Sequence, residues 1–235
     1  MTAIFKRELR SYFVSPTAYV LAASFFIIFS IFFISFNISS QIANLGAAYK
    51  SSEIAILIIL PVLTMKVFSE EKKNNTEVLL LTSPVSIGKI VLGKYLAVIT
   101  VFLSITALSL IHIMILFVFG SPHLPSLMGT LLDFILFGSL ISAIGVFVSS
   151  LTESQIVAAI ISFAINLVIY FLYTIMRGLG DTAIAVFSRI SPMSRTDDFH
   201  LGMFRINNVI FFIVLIGLFL FFTARNIEKK RWSKG

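Results

Sequence analysis

Apolar residues in this chain come in long blocks separated by short polar intervals. The first block covers residues 18–36. A polar interval rich in small residues, 37–52, precedes a shorter block, 53–68, which is interrupted by Pro61 and bears Lys66 near its end. Residues 87–119 form the longest block, closed by Gly120, Ser121, Pro122 and Pro125. Blocks 131–151 and 156–176 are separated only by the tight turn Thr152-Glu153-Ser154-Gln155, and 209–223 is the last. A helix needs about 20 mainly apolar residues to cross a bilayer, and a long ammonium side chain such as that of Lys66 can snorkel to its edge. The pattern predicts an all-α integral membrane protein with six transmembrane helices and both termini on one side.

The polar intervals are themselves patterned. Within residues 2–13, Ile4, Phe5, Leu9, Tyr12 and Phe13 make an apolar stripe, and Lys6, Arg7 and Arg10 make a basic face. Such a helix suits the headgroup layer, and Ser15-Pro16 breaks it before the first span. The interval from 68 to 94 is the only long charged interruption of the first half. There Glu70 and Glu71 meet Lys72 and Lys73, Asn74 and Asn75 follow, and an apolar ridge from Val78 to Leu81 is stopped by Thr82-Ser83-Pro84. An amphipathic segment pinned between two spans can receive force from a soluble partner. The interval 177–208 is long for a connector. Its helical-looking run 182–190, then Ser191-Pro192 and the acidic pair Asp197-Asp198, fits two readings. One is a short helix dipping back into the outer leaflet with its backbone satisfied; the other is a solvated external loop.

Composition supports the membrane reading. The 235 residues are 58% hydrophobic and 12% charged, against about 25% charged in a soluble domain. A net charge of +7 does not mark a nucleic-acid binder here, because the positive charge follows the membrane sides. Lys6, Arg7 and Arg10, then Lys66, Lys72, Lys73, Lys89 and Lys94, then Arg225, Lys229, Lys230, Arg231 and Lys234 make 13 of the 18 basic residues. All belong to one face of the predicted topology. Short basic loops stay in the cytoplasm, so both termini and the 68–94 interval are expected on the cytoplasmic side of the cell (inner) membrane. With no cysteine, the chain has no disulfide, thiolate nucleophile or thiolate-held metal.

Motif by motif, the chemistry is sparse. Residues 88–94 spell GxxxxGK, the first seven positions of a phosphate-binding loop. Tyr95 stands where a Ser or Thr hydroxyl must ligate Mg²⁺, and the run opens an apolar block instead of joining a strand to a helix. The resemblance is coincidental, and the chain alone is not expected to hydrolyse ATP. His112 lies inside a block and His123 and His200 lie in loops, none with a carboxylate at ligand spacing, so neither a catalytic nor a metal site is expected. Polar side chains at membrane depth face protein or a cavity. On that ground His112 and Asn166 are candidates for an intramembrane polar site, with helix–helix bonding the simpler role. Gly138, Ser142 and Gly145 form a small-residue strip suited to close packing.

Three stretches resemble the ABC-2 type permease family. The first is Phe68-Ser69-Glu70-Glu71-Lys72-Lys73, then Thr76-Glu77-Val78-Leu79-Leu80-Leu81-Thr82-Ser83-Pro84-Val85-Ser86, then Ile90-Val91-Leu92-Gly93-Lys94. The second is Phe5-Lys6-Arg7-Glu8-Leu9 with Tyr12-Phe13-Val14-Ser15-Pro16. The third runs from Ser191-Pro192 through Phe199, Gly202, Phe204 and Asn207 to Ile227-Glu228-Lys229-Lys230-Arg231-Trp232. The similarity covers essentially the whole chain and is nearest to the branch of gliding-motility and nitrous-oxide-reductase-associated permeases. Asn75 departs from the pattern, because the family usually has Gly there. Asn tolerates left-handed backbone angles, so the turn is expected to survive.

The resemblance implies one ABC-2 transmembrane domain over residues 1–235, of the type V exporter kind. It implies an interfacial elbow helix at 1–16, a coupling-helix loop at 69–86 and short re-entrant helices within 177–208. It also implies that Glu70, Glu71, Asn75, Thr76, Glu77, Leu79, Leu80, Thr82, Ser83 and Pro84 contact an ABC ATPase subunit. The carboxylates would meet its basic groups and the leucines would seat in its groove. ATP and Mg²⁺ belong to that subunit, and this chain holds no cofactor. A second permease chain, identical or paralogous, completes the transporter among membrane lipids, without nucleic acid. The expected function is export driven by the partner's ATP hydrolysis. The alternative is the ATP-driven membrane subunit of a non-transporting complex, such as gliding or surface machinery.

Overall fold

The computed structural model describes residues 1–77, 85–177, 191–200 and 202–233. In chain order its helices are α1 (Thr2–Val14), α2 (Pro16–Phe33), α3 (Gly46–Thr64), α4 (Lys66–Lys73), α5 (Ile87–Ala107), α6 (Leu110–Phe119), α7 (Leu124–Leu151), α8 (Gln155–Arg177), α9 (Thr196–His200) and α10 (Ile206–Ser233). No strand occurs among the described residues. Among the described residues six helical stretches are long and apolar enough to cross a membrane: Pro16–Ile38, Gly46–Lys73, Ile87–Phe119, Leu124–Leu151, Gln155–Leu172 and Ile206–Lys229. The second joins α3 to α4 and the third joins α5 to α6. The predicted all-α six-span architecture is therefore present.

Local chemistry sets the boundaries. Ser15 adopts an extended conformation (φ −80°, ψ 139°), its Oγ accepts from the Thr17 amide at 3.3 Å, and Pro16 opens α2. Here the fixed φ of proline suits a first turn. Span one ends in a π-turn, Ile34–Ile38, where the Asn37 Nδ2 donates to the carbonyls of Ile42 (2.8 Å) and Asn44 (2.9 Å). After Leu151 an extended Thr152 stops α7, and the Ser154 amide donates to the Thr152 Oγ1, which makes the expected tight turn.

Several span limits differ from those read in the sequence, two of the starts by seven residues. Span two begins at Gly46, not Glu53, because polar residues assigned to the loop are turned inward: Tyr49 and Ser52 are buried, as is Glu53 after them. Tyr49 packs its ring 4.8 Å from Phe29 and 5.2 Å from Phe134, and its hydroxyl lies 2.6 Å from the Ser109 Oγ. Span four begins at Leu124, seven residues before Leu131, and Pro125 lies in the first turn of α7 instead of ending span three.

Helices α3 and α7 form the centre. About two thirds of each span window (67%) is buried, against 17% for the windows of α2, α8 and α10. The outer helices expose Ile27, Ile31, Ile160, Val168, Ile213 and Val214, the surface a bilayer covers. Lipid is as apolar as leucine, so helices in it are held by close packing, not by water exclusion. Gly138 and Gly145 provide that packing: a methyl on Gly138 would overlap the Phe102 ring of α5, and one on Gly145 would overlap Thr64 of α3. The small-residue strip is a packing surface.

The bundle has two distinct ends. At one, α1, the α3–α4 junction, the first turns of α5, the last turn of α7 and Asn226 of α10 come together. At the other, the start of α7 meets α9 and Gly202.

Candidate functional site

The first end contains the described part of the predicted partner-binding stretch. Helix α4 continues span two after a break at Met65. The last residues of α7 patch that break. The Ser149 Oγ donates to the Met65 carbonyl at 2.9 Å and accepts from the amides of Phe68 (3.0 Å) and Ser69 (3.2 Å). Next to it the Ser150 carbonyl accepts from the buried Lys72 ammonium and, at 2.8 Å, from the Asn226 Nδ2. Two adjacent serines thus tie α4 to spans four and six.

A charge cluster ties α4 to α1 and α5. The Lys94 Nζ, 1% exposed, lies 2.9 Å from the Glu71 Oε1 and 3.1 Å from the Glu8 Oε1, and donates to the Val67 carbonyl at 2.7 Å. The Arg7 guanidinium, more exposed, donates to the same two carboxylate oxygens at 2.9 Å each. The hydrogen bond to Glu8 foremost, with the charge of Glu71, raises the Arg7 pKa above its ordinary value against the opposing effect of burial. Beside the cluster the Tyr12 hydroxyl donates to the Leu63 carbonyl at 2.9 Å, and the Lys66 ammonium sits 4.4 Å from the Tyr12 ring centre. Burial, reinforced by the charges of Glu8 and Glu70, pushes the Tyr12 phenol far above the usual range, which keeps it a donor.

The α4 helix ends in a turn that Asn75 makes possible. The Asn75 amide donates to the Lys72 carbonyl (3.1 Å) and the Thr76 amide to the Glu71 carbonyl (2.9 Å), with Asn75 at φ 55°. This pair of bonds around a left-handed residue is the Schellman end of a helix. Asparagine thus serves where the resemblance implies a glycine.

Of the stretch read as a coupling loop, Glu70, Asn75 and Thr76 are exposed and Glu77 is half-buried. Glu71 is different: expected to face a partner, it turns into the chain and holds Arg7 and Lys94. Leu79, Leu80, Thr82, Ser83 and Pro84 lie outside the described residues, as does the helical-looking run 182–190. Lys94, Glu8, Ser149, Ser150 and Asn226 were not singled out from the sequence as functional positions. The one signal for them was Lys94 itself, a lysine at the head of an apolar block, which needs a counter-charge.

The two intramembrane candidates have unlike surroundings. The His112 Nε2 lies 2.9 Å from the Ser30 Oγ of α2, and its ring is packed by Phe26, Phe29 and Phe33 at 5.0–5.1 Å. It joins span three to span one, the helix–helix role expected. Asn166 is fully buried, and neither amide atom has a hydrogen-bond partner.

At the other end α9 caps α7. The Asn208 Nδ2 donates to the Asp198 Oδ2 (3.0 Å), the Arg195 Nη1 donates to the Asn208 Oδ1 (3.1 Å), and Arg205 pairs with Asp198 at 3.4 Å. The acidic pair therefore includes one residue fastened to the start of α10.

The fold is that of a multi-pass membrane permease with a polar, ion-paired end. The family model described as ABC-2 family transporter protein matches residues 3–224, so the chain belongs to the ABC-2 transporter family, as a membrane permease of an ABC transporter. A comparison with curated proteins returned no match.

Proposed function

We propose that this permease exports a substrate using ATP hydrolysed by a separate nucleotide-binding subunit, and that the end bearing α1 and α4 faces that subunit in the cytoplasm. Two such chains, with the ATPase subunits, complete the transporter. ATP and Mg²⁺ bind the partner. The observation that carries the reading is how α4 is held. A push on the segment after Asn75 reaches a helix wired to α1 and α5 through Arg7, Glu8, Glu71 and Lys94, and to α7 and α10 through Ser149, Ser150 and Asn226. Helix α4, so held, passes displacement on to its neighbours. Basic residues concentrated at this end support its cytoplasmic placement.

In this reading Glu70, Asn75, Thr76 and Glu77 form the near edge of the contact and Leu79 and Leu80 its apolar centre. The test uses the tagged chain purified from its own membranes, measuring the ATPase subunit and ATP hydrolysis that come with it. Leu80→Ala should weaken both, since truncating a seated leucine costs about 2–5 kcal/mol. Leu80→Asp should abolish both, because it also buries a charge, while the permease still reaches the membrane. Wild-type co-purification and hydrolysis with Leu80→Asp would overturn the reading. Single cysteines at Ser233 and Ser188 test orientation: an impermeant thiol reagent applied outside should label the second and not the first.

A further inference from the structure

A cavity of about 600 Å³ opens between α1, α4 and the start of α5, within the size range of small-molecule sites, about 300–1,000 Å³. Its charged lining is balanced, with Arg7, Lys66 and Lys94 against Glu8, Glu70 and Glu71. Arg7, Lys94, Glu8 and Glu71 are engaged with one another, while Glu70 acts on Lys66 only through its charge. The Glu71 Oε1 takes both Arg7 and Lys94, but its Oε2 is out of contact with solvent and has no hydrogen-bond partner. The Lys66 ammonium rests on the Tyr12 ring instead of on a carboxylate. The cavity wall therefore holds a carboxylate oxygen with no hydrogen-bond partner and an ammonium that feels Glu70 but is hydrogen-bonded to no carboxylate among the described residues. Ser11, also in the lining, adds a hydroxyl donor.

The position narrows the ligand. Helix α1 precedes Pro16, where span one begins, and it exposes Phe13 and Val14 beside its basic residues, as a helix lying in the headgroup layer does. Lys66 and Glu71 belong to the last turns of the span-two helix. A ligand at this depth that carries an N–H cation and an anion a few bonds apart is a phospholipid headgroup. We infer that the cavity between α1 and α4 binds the phosphoethanolamine headgroup of a membrane lipid, its ammonium donating to the Glu71 Oε2 and its phosphate accepting from Lys66 and Ser11. A choline headgroup has no N–H to donate, and a glycerol headgroup has no cation. One charge-assisted hydrogen bond corresponds to at least about a tenfold preference.

The inference does not depend on ATP coupling or on which leaflet the cavity meets. It is tested by native mass spectrometry of the purified full chain, titrated with phosphatidylethanolamine, phosphatidylcholine and phosphatidylglycerol of identical acyl chains. The wild type should hold the ethanolamine lipid about tenfold more tightly than either of the others. Glu71→Gln should bring the ethanolamine lipid down to the choline lipid's level, and Lys66→Gln should weaken both. Glu228→Gln, on α10, should change neither. The wild-type comparison needs no substitution, so a variant that folds poorly leaves the test intact. Equal binding of the three lipids by the wild type would overturn the inference, whether the cavity stays empty or instead receives a basic side chain of a protein partner. An ethanolamine preference that survives Glu71→Gln would overturn it too.

Discussion

The two ends of the bundle are held by different physics. At the α1–α4 end, buried charges and side-chain hydrogen bonds join five helices through Lys94, Glu71 and the Ser149-Ser150 pair. At the α9 end, polar side chains fasten α9 to the start of α10, but the contact with α7 is steric. A methyl on Gly129 would overlap the Phe199 carbonyl, and Gly202, at φ +76°, lies against Pro125 and Ser126. A charged junction can exchange partners without losing its parts, whereas a steric contact with backbone either fits or does not. The end argued to receive force from a partner is the exchangeable one.

Removing the ammonium at the centre of the charged end is the severest way to probe this contrast. Lys94→Ala leaves the carboxylates of Glu8 and Glu71 without their buried cation, and breaking a buried pair costs about 3–5 kcal/mol. Thermal unfolding of the detergent-purified chain should show the loss, and adding Glu8→Gln and Glu71→Gln should recover much of it. A Lys94→Ala chain as stable as wild type would remove the charge cluster from the comparison. At the other end Gly129→Ala should cost about 1–3 kcal/mol, as overpacking does. No second substitution at Phe199 should restore it, because the obstacle is a backbone carbonyl. Smaller still, Asn226→Ala forfeits its bonds to Ser150 for about 0.5–1.5 kcal/mol, and should loosen α10, read as faster hydrogen exchange over its last turns. Arg7→Ala should be nearly silent, at about 0–1 kcal/mol, since its guanidinium is 60% exposed and Lys94 remains with the same carboxylates. A large loss there would make the cluster's outer rim as important as its centre.

Much of the fold was legible because block hydrophobicity averages over many residues. The breaks at Ser15 and Thr152 could be read because proline and tight turns constrain the backbone locally. Asn75 could be read for the same reason, since few residues enter the left-handed region. The start of α3 was not legible. Tyr49 and Ser52 look like part of a watery loop until α7 and α2 are in place to bury them. Lys94 shows the same limit at the site. That it does not cradle a phosphate follows from Tyr95 beside it, but its actual partner Glu8 is 86 positions away, a distance no local pattern spans. Glu71 was placed outward for want of that information.

The central position of α3 bears on how the protein is made. Its span is the least hydrophobic of the six, with mean hydropathy 1.8 against 2.2–2.5 for the rest, and it carries Glu53 and Pro61. Helix α7, which covers it, leaves the ribosome some 60 residues later, after α5 and α6. During synthesis α3 must therefore either wait beside the insertion machinery or enter lipid before the helix that covers it. Part of this helix's packing, that against α7, comes only when a later one arrives, and the pace of translation between them becomes part of the folding problem.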